Sequence, residues 1–218
     1  MSAAIDERPA QAHHFQTFEQ EHDAAQLGMW IFLATELMLF GGLFTAYTVY
    51  RSIYPLGFAE GSRHMDLVLG GTNTVVLLVS SASMALAVDS ARLGHRGPLI
   101  GFLSVTALLG IVFMALKGVE YVQHFNEGLV PGLNWQYTGP RPAEVQLFML
   151  AYFTLTGLHA IHLSVAIVIV AIMLVRARRA TDLPIRHTPF ELIGLYWHFV
   201  DIIWVFLLPL LYLFGLQP

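Results

Sequence analysis

The sequence predicts an all-α, polytopic integral membrane protein, a bundle of five transmembrane helices, and three observations support this fold class. Of its 218 residues, 56% are hydrophobic and only 12% are charged, and a mean hydropathy of +0.62 is too high for a soluble domain. Five long apolar runs are separated by segments that contain proline and glycine. Each run can cross a hydrocarbon core as a helix, which takes about 20 residues and satisfies its own backbone hydrogen bonds in lipid.

The five runs set the predicted domain organisation. They are Leu27–Tyr50, Leu67–Leu93, Pro98–Val122, Val145–Val175 and Phe190–Phe214. The first connection, with Tyr54-Pro55, Gly57 and Gly61, is predicted to be a loop. Residues 1–25 form a polar N-terminal tail, which lacks the apolar core of a cleaved signal peptide, and residues 26–218 form one five-helix domain.

Lys and Arg residues predict the orientation of the bundle. The membrane face that holds the N-terminus is named side one here, and the opposite face is named side two. Side one carries seven of the 11 basic residues: Arg8, Arg92, Arg96, Arg176, Arg178, Arg179 and Arg186. By the positive-inside rule, side one is cytoplasmic in a bacterium, so the N-terminus lies inside, the C-terminus lies outside and the protein is a multi-pass protein of the inner membrane.

Composition excludes several classes of function. There is no cysteine, so disulfides, thiolate metal sites and cysteine nucleophiles are absent. The net charge of −4 is spread thinly and no basic patch is visible, so nucleic acid is not a predicted partner.

The most informative stretch is YWHFVD at residues 196–201, in which His198 and Asp201 share one face of an apolar helix. Ionisable groups at bilayer depth are costly and usually mark a function or a buried partner. Helical rise places Glu36, His159, His198 and Asp201 roughly 10 to 16 Å from side one, with His162 nearer still. We therefore predict an inner-half polar network of these five residues that ties the first, fourth and fifth runs together.

Two interpretations stay open for the network members. His159 and His162 are spaced like adjacent metal ligands, but two histidines do not close a site, and we predict bonds to a carboxylate or carbonyl on a neighbouring helix instead. No metal site is predicted in this chain. Glu36 is either a proton-exchanging or partner-facing carboxyl group or a neutral acid bonded to a neighbouring helix.

Residues at the ends and along the faces of the helices suggest lipid contacts and close packing. Arg176, Arg178 and Arg179 fit either an anchor for anionic lipid head groups or a simple topology signal. Trp197 and Trp204 are further lipid-binding candidates, although packing is the alternative for Trp204. Small residues, among them Gly41, Gly42, Gly70, Gly71, Gly101, Gly110 and the serines at 80, 81 and 83, predict close helix approach.

Five motifs together resemble the haem–copper oxidase subunit III family. The runs contain, in order, GMWIFLATELMLFGG at 28–42, NTVVLLVSS at 73–81, EYVQHFNEG at 120–128, TGLHAIH at 156–162 and YWHFVDIIW at 196–204. In this resemblance Glu36 matches the family's buried, carbodiimide-reactive carboxylate, and Glu120 with Tyr121 matches a motif near the side-two end of the third run. The chain resembles the short bacterial form, because the first two of the seven helices of long members are missing.

The resemblance implies a subunit of a cytochrome c oxidase complex, an oxidoreductase and translocase of aerobic electron transport. In the family, this subunit has no redox centre of its own, and haem and copper belong to the partner catalytic subunits. It holds phospholipid, supports proton uptake and prolongs the active lifetime of the enzyme. The expected partners are oxidase subunit I, subunit II, membrane lipids and other respiratory-complex subunits.

Other functions compete with this interpretation. The same family includes subunit III of quinol oxidases and accessory subunits of nitric oxide reductases. An independent proton-coupled transporter is a further alternative, but transporters typically contain repeats or broken helices, and neither is visible here.

Overall fold

The computed structural model describes residues 18–179 and 187–213, and these residues contain six helices. In chain order these are α1 (Phe18–Ile53), α2 (Pro55–Ser62), α3 (Leu67–Arg92), α4 (Arg96–Asn126), α5 (Pro142–Arg179) and α6 (Thr188–Tyr212). All except α2 are long and apolar enough to cross a membrane, which confirms the five predicted spans. The helices are longer than the apolar runs, and residues 18–25, assigned to the polar tail, are helical.

The segment after α1 is a short helix and not the predicted loop. Pro55 occupies the first turn of α2, where its missing N–H is not needed. Gly57 and Gly61 lie on the face of α2 that packs against the start of α5. A Cβ atom on Gly57 would overlap Cβ of Glu144, and one on Gly61 would lie 2.5 Å from a ring carbon of Phe148. The two glycines therefore permit close helix packing rather than a turn.

Helices α3, α4, α5 and α6 form the packed part of the bundle, and α1 lies at its edge. The most extensive contacts join α3 to α4, while α6 packs against α3, α5 and α1. Gly110 of α4 packs directly against Trp197 and Ile167, as its small size predicts. A Cβ atom added to Gly41 or Gly42 of α1 would have no atom of a neighbouring helix within 4 Å. These two glycines therefore mediate no close helix approach among the described residues.

The last turn of α6 is held by residues from the start of the chain. The hydroxyl group of Tyr47 donates to the carbonyl of Leu210 at 2.7 Å. The hydroxyl group of Ser62 donates to the carbonyl of Leu211 at 2.8 Å. Carbonyl groups in the last turn of a helix have no partner within the helix, so α1 and α2 satisfy acceptors that would otherwise be costly in lipid.

Candidate functional site

The structure brings Glu36 and His162 together, each near the middle of its long helix. Glu36 Oε2 lies 2.8 Å from His162 Nε2, and the side chains are 17% and 13% exposed, respectively. The ring of Phe40 packs edge-on against the imidazole at 5.2 Å. The hydroxyl group of Tyr196 donates to the backbone carbonyl of His162 at 3.2 Å. Helices α1, α5 and α6 therefore meet at this pair, in a largely apolar setting.

Hydrogen-bond geometry limits the protonation states of the pair. His162 Nδ1 lies 2.8 Å from the carbonyl oxygen of Leu158. Because a carbonyl only accepts, Nδ1 carries a hydrogen and donates it. The contact between Nε2 and Glu36 then holds a single hydrogen, either on a neutral carboxylic acid or on an imidazolium ring. The pair is thus built around one shared proton.

The other members of the predicted network are not joined to this pair by hydrogen bonds among the described residues. His159 is 1% exposed, and neither of its ring nitrogens has a hydrogen-bond partner. Its ring packs against Trp204 at 5.2 Å and against Phe113 at 5.7 Å. His198 Nδ1 lies 2.7 Å from Ser81 Oγ on α3. The proposed single network is therefore resolved into separate polar groups.

A second polar cluster, which we call the lysine cluster, consists of Lys117, Glu120, Tyr152 and Tyr212. Lys117 Nζ donates to Glu120 Oε2 at 3.0 Å, to the Tyr152 hydroxyl at 3.0 Å and to the Tyr212 hydroxyl at 2.9 Å. Both tyrosine hydroxyls donate to Glu120 Oε1, at 2.6 and 2.5 Å. All three ammonium hydrogens are thus used, and α4, α5 and α6 are joined in the half of the bundle nearer side two.

The motif residue Tyr121 and its neighbour His124 border the lysine cluster. The hydroxyl group of Tyr121 lies 2.6 Å from Thr156 Oγ1 on α5. His124 is buried, 3.9 Å from Glu120 and 3.7 Å from the exposed Glu127. Glu120 and Tyr121 therefore both connect α4 to α5, but they make separate contacts.

The lipid-binding candidates divide into two groups. Arg176, Arg178 and Arg179 are exposed at the end of α5, where Arg96 donates to the carbonyls of Ala177 and Arg178. Trp197 and Trp204 are fully buried within the chain, which favours packing, the alternative given for Trp204, over contact with lipid. Trp204 donates through Nε1 to Thr74 Oγ1 at 3.0 Å. Both rings instead fill the interior among α3, α4, α5 and α6.

Two adjoining openings lie beside α1, one between α1 and α6 and the other between α1, α3 and α6. An apolar groove of about 530 Å³ is lined by residues such as Leu37, Phe44 and Phe206. A more polar pocket of about 390 Å³, which we call the side-one pocket, is lined by Asp89, Arg92 and Glu191, and Arg92 and Glu191 form an ion pair at 2.7 Å. Trp30, Leu195 and His198 line both openings, which therefore lie next to each other.

The described part of the chain contains no group of three or more His, Cys, Asp and Glu side chains arranged to hold a metal ion.

Comparison with known proteins assigns the family. The family model described as cytochrome c oxidase subunit III matches residues 4–127 and 143–216, which include the Glu36–His162 pair and the lysine cluster. The chain belongs to the cytochrome c oxidase subunit III family. It is thus the third subunit of a haem–copper oxidase, as the resemblance of its motifs predicted.

Three relatives of this subunit III illustrate the names that its matches carry. It is 33% identical to cytochrome c oxidase subunit 3 of Synechocystis sp. over 88% of this chain and 76% of the relative. It is 28% identical to cytochrome c oxidase subunit 3 of Alkalihalophilus pseudofirmus over 99% and 98%. It is 29% identical to cytochrome bo(3) ubiquinol oxidase subunit 3 of Pseudomonas putida over 89% of each chain.

Several polar contacts of subunit III are not predicted by the sequence. The spacing of Lys117 and Glu120 places both on one helical face and could have revealed their ion pair. Tyr152 and Tyr212 carry no such signal, because their contacts with Glu120 are between helices. Ser81 was attributed to helix packing, but it contacts His198.

Proposed function

We propose that this subunit III supports proton uptake, lipid binding and stability of the catalytic subunit in a proton-pumping oxidase of the cytochrome c type. The observation that carries the proposal is the Glu36–His162 pair, in which one hydrogen is shared between a carboxyl group and an imidazole. Proton exchange needs a group whose charged and neutral forms are both accessible, and either position of the shared hydrogen satisfies the hydrogen bond. Partial exposure of both side chains leaves a route for exchange.

Lipid binding is supported by the groove between α1 and α6. Its apolar part suits an acyl chain, and its polar end at the side-one pocket suits a phospholipid head group. The three exposed arginines at the end of α5 offer a second contact for anionic head groups on side one.

In the proposed complex, subunit I is the main partner of this chain and subunit II is a further partner. These two partners carry the haem and copper, and this chain has no redox centre of its own. Side one faces the cytoplasm of a bacterium, so the N-terminus lies inside and the C-terminus outside. Arginine placement in the sequence supports this orientation.

A quinol oxidase is the second candidate, because relatives with that name match over comparable lengths. Examples are the Pseudomonas putida protein and a probable quinol oxidase subunit 3 of Staphylococcus epidermidis, each 29% identical to this chain. The two candidates differ in electron donor, which is a property of the partner subunits.

Purification through a tag on this chain in a mild detergent tests the assembly. We expect an oxidase catalytic subunit to co-purify and the reduced-minus-oxidised spectrum to contain haem bands. Oxidation of reduced cytochrome c by the preparation would support the first candidate, and oxidation of quinol alone would support the second. A colourless chain that purifies without a catalytic subunit would contradict both.

Glu36→Gln tests the role of the shared proton. The amide can still hydrogen-bond to His162, but it cannot exchange the carboxyl proton. We expect slower steady-state turnover under conditions that limit proton uptake, with little change in the thermal stability of the complex. Thr35→Val is the control, because within the described residues the Thr35 hydroxyl donates to the carbonyl of Phe32 in its own helix and to no other group. Unchanged turnover in Glu36→Gln would contradict a role for this carboxyl group in proton uptake.

A further inference from the structure

The side-one end of α1 is joined to α6 through His22. Nδ1 of His22 lies 3.1 Å from Oγ1 of Thr188, at the start of α6. Its Nε2 atom lies 3.0 Å from the amide nitrogen of Gln26, one turn further along α1. Because an amide nitrogen only donates, Nε2 accepts this bond, and Nδ1 carries the ring hydrogen and donates it to Thr188. One ring nitrogen of His22 therefore binds α6, and the other holds Gln26.

Glu191 of α6 extends this contact to α3. Its Oε2 atom lies 3.9 Å from Nε2 of His22, and its Oε1 atom accepts from Nε of Arg92, the last residue of α3, at 2.7 Å. The Glu191 side chain is only 10% exposed, although it lies in the first turn of α6. We call His22, Thr188, Glu191 and Arg92 the side-one clasp, because together they join α1, α6 and α3.

The side-one clasp borders the side-one pocket. Glu191 lines this pocket of about 390 Å³, and α1 contributes Gln26 and Trp30 to its wall. A Cβ atom added to Gly194 of α6 would lie 2.8 Å from Cγ2 of Val88 on α3, so these two walls of the pocket touch each other. By contrast, α1 is the least buried of the five spans. It is therefore the wall that is most free to move.

A long stretch of α1 separates the side-one clasp from the next polar contact of the helix. That contact is the Glu36–His162 pair, about 21 Å further along α1 at about 1.5 Å per residue. Between the two, no hydrogen bond or ion pair joins α1 to another helix among the described residues. Gly28 lies in this stretch, and glycine weakens the interior of a helix. The turns before Gly28, which carry His22 and Gln26, can thus bend away from α6.

We propose that the first turns of α1 form a gate over the side-one pocket, which the hydrogen bond from His22 to Thr188 holds closed and a bend at Gly28 opens. The gate controls how fast a ligand enters the pocket. That the ligand is a phospholipid head group rests on the lipid binding proposed above, whereas the gate itself follows from the contacts of α1.

The reactivity of a cysteine in the pocket tests the gate without reference to its ligand. The chain has no cysteine, so Val88→Cys places its only thiol on the α3 wall of the pocket. In the purified oxidase complex, we expect His22→Ala to speed modification of this thiol by a water-soluble methanethiosulfonate about fivefold, the effect of losing one hydrogen bond. His22→Asn should react nearly as slowly as Val88→Cys alone, because its amide can still bond to Thr188. Equal rates with and without His22→Ala would overturn the gate.

Gly28→Ala tests the bending point. The added methyl group meets no atom within 4 Å, so it stiffens the helix without a clash. Combined with His22→Ala, it should return the thiol reactivity most of the way to the unaltered rate. Gly42→Ala is the matched control, because its methyl group is equally free of neighbours but lies beyond the Glu36–His162 pair. If Gly28→Ala and Gly42→Ala have the same effect, a bend at Gly28 does not open the gate.

A reversible cross-link tests whether the gate controls the entry of lipid. In the double variant His22→Cys with Thr188→Cys, a short thiol cross-linker fixes α1 to α6, and a reductant releases it. The complex is mixed with vesicles of phosphatidylethanolamine and phosphatidylglycerol that contain phosphatidylethanolamine with a photoreactive diazirine on its head group. We expect photolabelling of residues 85–92 of α3 to be about tenfold slower in the cross-linked state, in which the open state is rare.

The two measurements separate failure of the gate from failure of lipid binding. Photolabelling at the same rate before and after reduction would overturn control of lipid entry by the gate. If His22→Ala speeds thiol modification but residues 85–92 are never photolabelled, the gate is supported and lipid binding at this pocket is contradicted.

Discussion

Replacing Lys117 by methionine is expected to destabilise the folded bundle by about 3–5 kcal/mol, because it leaves a buried carboxylate without its cation. In the native protein Glu120 is 1% exposed and accepts from Lys117 and two tyrosine hydroxyls. The ammonium group also lies 5.0 to 5.6 Å from the ring centres of Tyr121, Tyr152, Trp204 and Tyr212. Thermal unfolding of the purified complex, followed through the tagged chain, measures the loss.

The double variant Lys117→Met with Glu120→Gln separates charge from packing. It removes both charges, while the amide oxygen can still accept from the tyrosine hydroxyls. We expect it to be more stable than Lys117→Met alone, since removal of a whole buried ion pair costs less than removal of one partner. If the loss of unfolding free energy in the double variant equals the sum of the losses in Lys117→Met and Glu120→Gln, the two residues do not stabilise each other.

Replacing Trp204 by alanine is expected to destabilise the bundle by about 3–5 kcal/mol, the usual cost of deleting a large buried aromatic side chain. The indole is fully buried. It packs edge-on against Phe113 at 4.8 Å and bonds to Thr74 at 3.0 Å, so its loss leaves a cavity where α3, α4 and α6 meet. Thermal unfolding in one detergent, with the lipid content held constant, measures the effect.

Phe125→Ala is the control for that experiment. Phe125 is 51% exposed on α4 and lines neither opening, so its removal should change the unfolding free energy by no more than about 0.5 kcal/mol. If Trp204 lined a lipid surface instead, the two variants would behave alike. Equal and small effects would therefore contradict the buried position of Trp204.

The sequence predicts the five spans well because hydrophobic length is a local property. Each long run can satisfy its backbone only as a helix in lipid, and each forms one. The sequence does not predict helix α2, because Pro55, Gly57 and Gly61 are residues typical of turns. In the structure the same proline begins the helix and the glycines let it approach Glu144 and Phe148. That outcome depends on α5, which is distant in sequence.

The partners of the polar groups could not be predicted from helical rise. Helical rise places Glu36 and His162 in the same half of the bundle, but it does not give the rotation of either helix about its axis. Rotation decides that Glu36 bonds to His162, whereas His159 packs against aromatic rings. For the same reason Trp204 could not be assigned to the interior from the sequence alone.

The hydrogen bonds that Tyr47 and Ser62 donate to the last turn of α6 can form only late in the assembly of the bundle. Tyr47 and Leu210 are 163 residues apart in the chain, and Ser62 and Leu211 are 149 apart. During synthesis α1 and α2 reach the membrane long before their acceptors exist, so these two bonds form only after the final helix has been inserted. A chain truncated before Leu210 therefore lacks both hydrogen bonds that join α1 and α2 to the last span near side two.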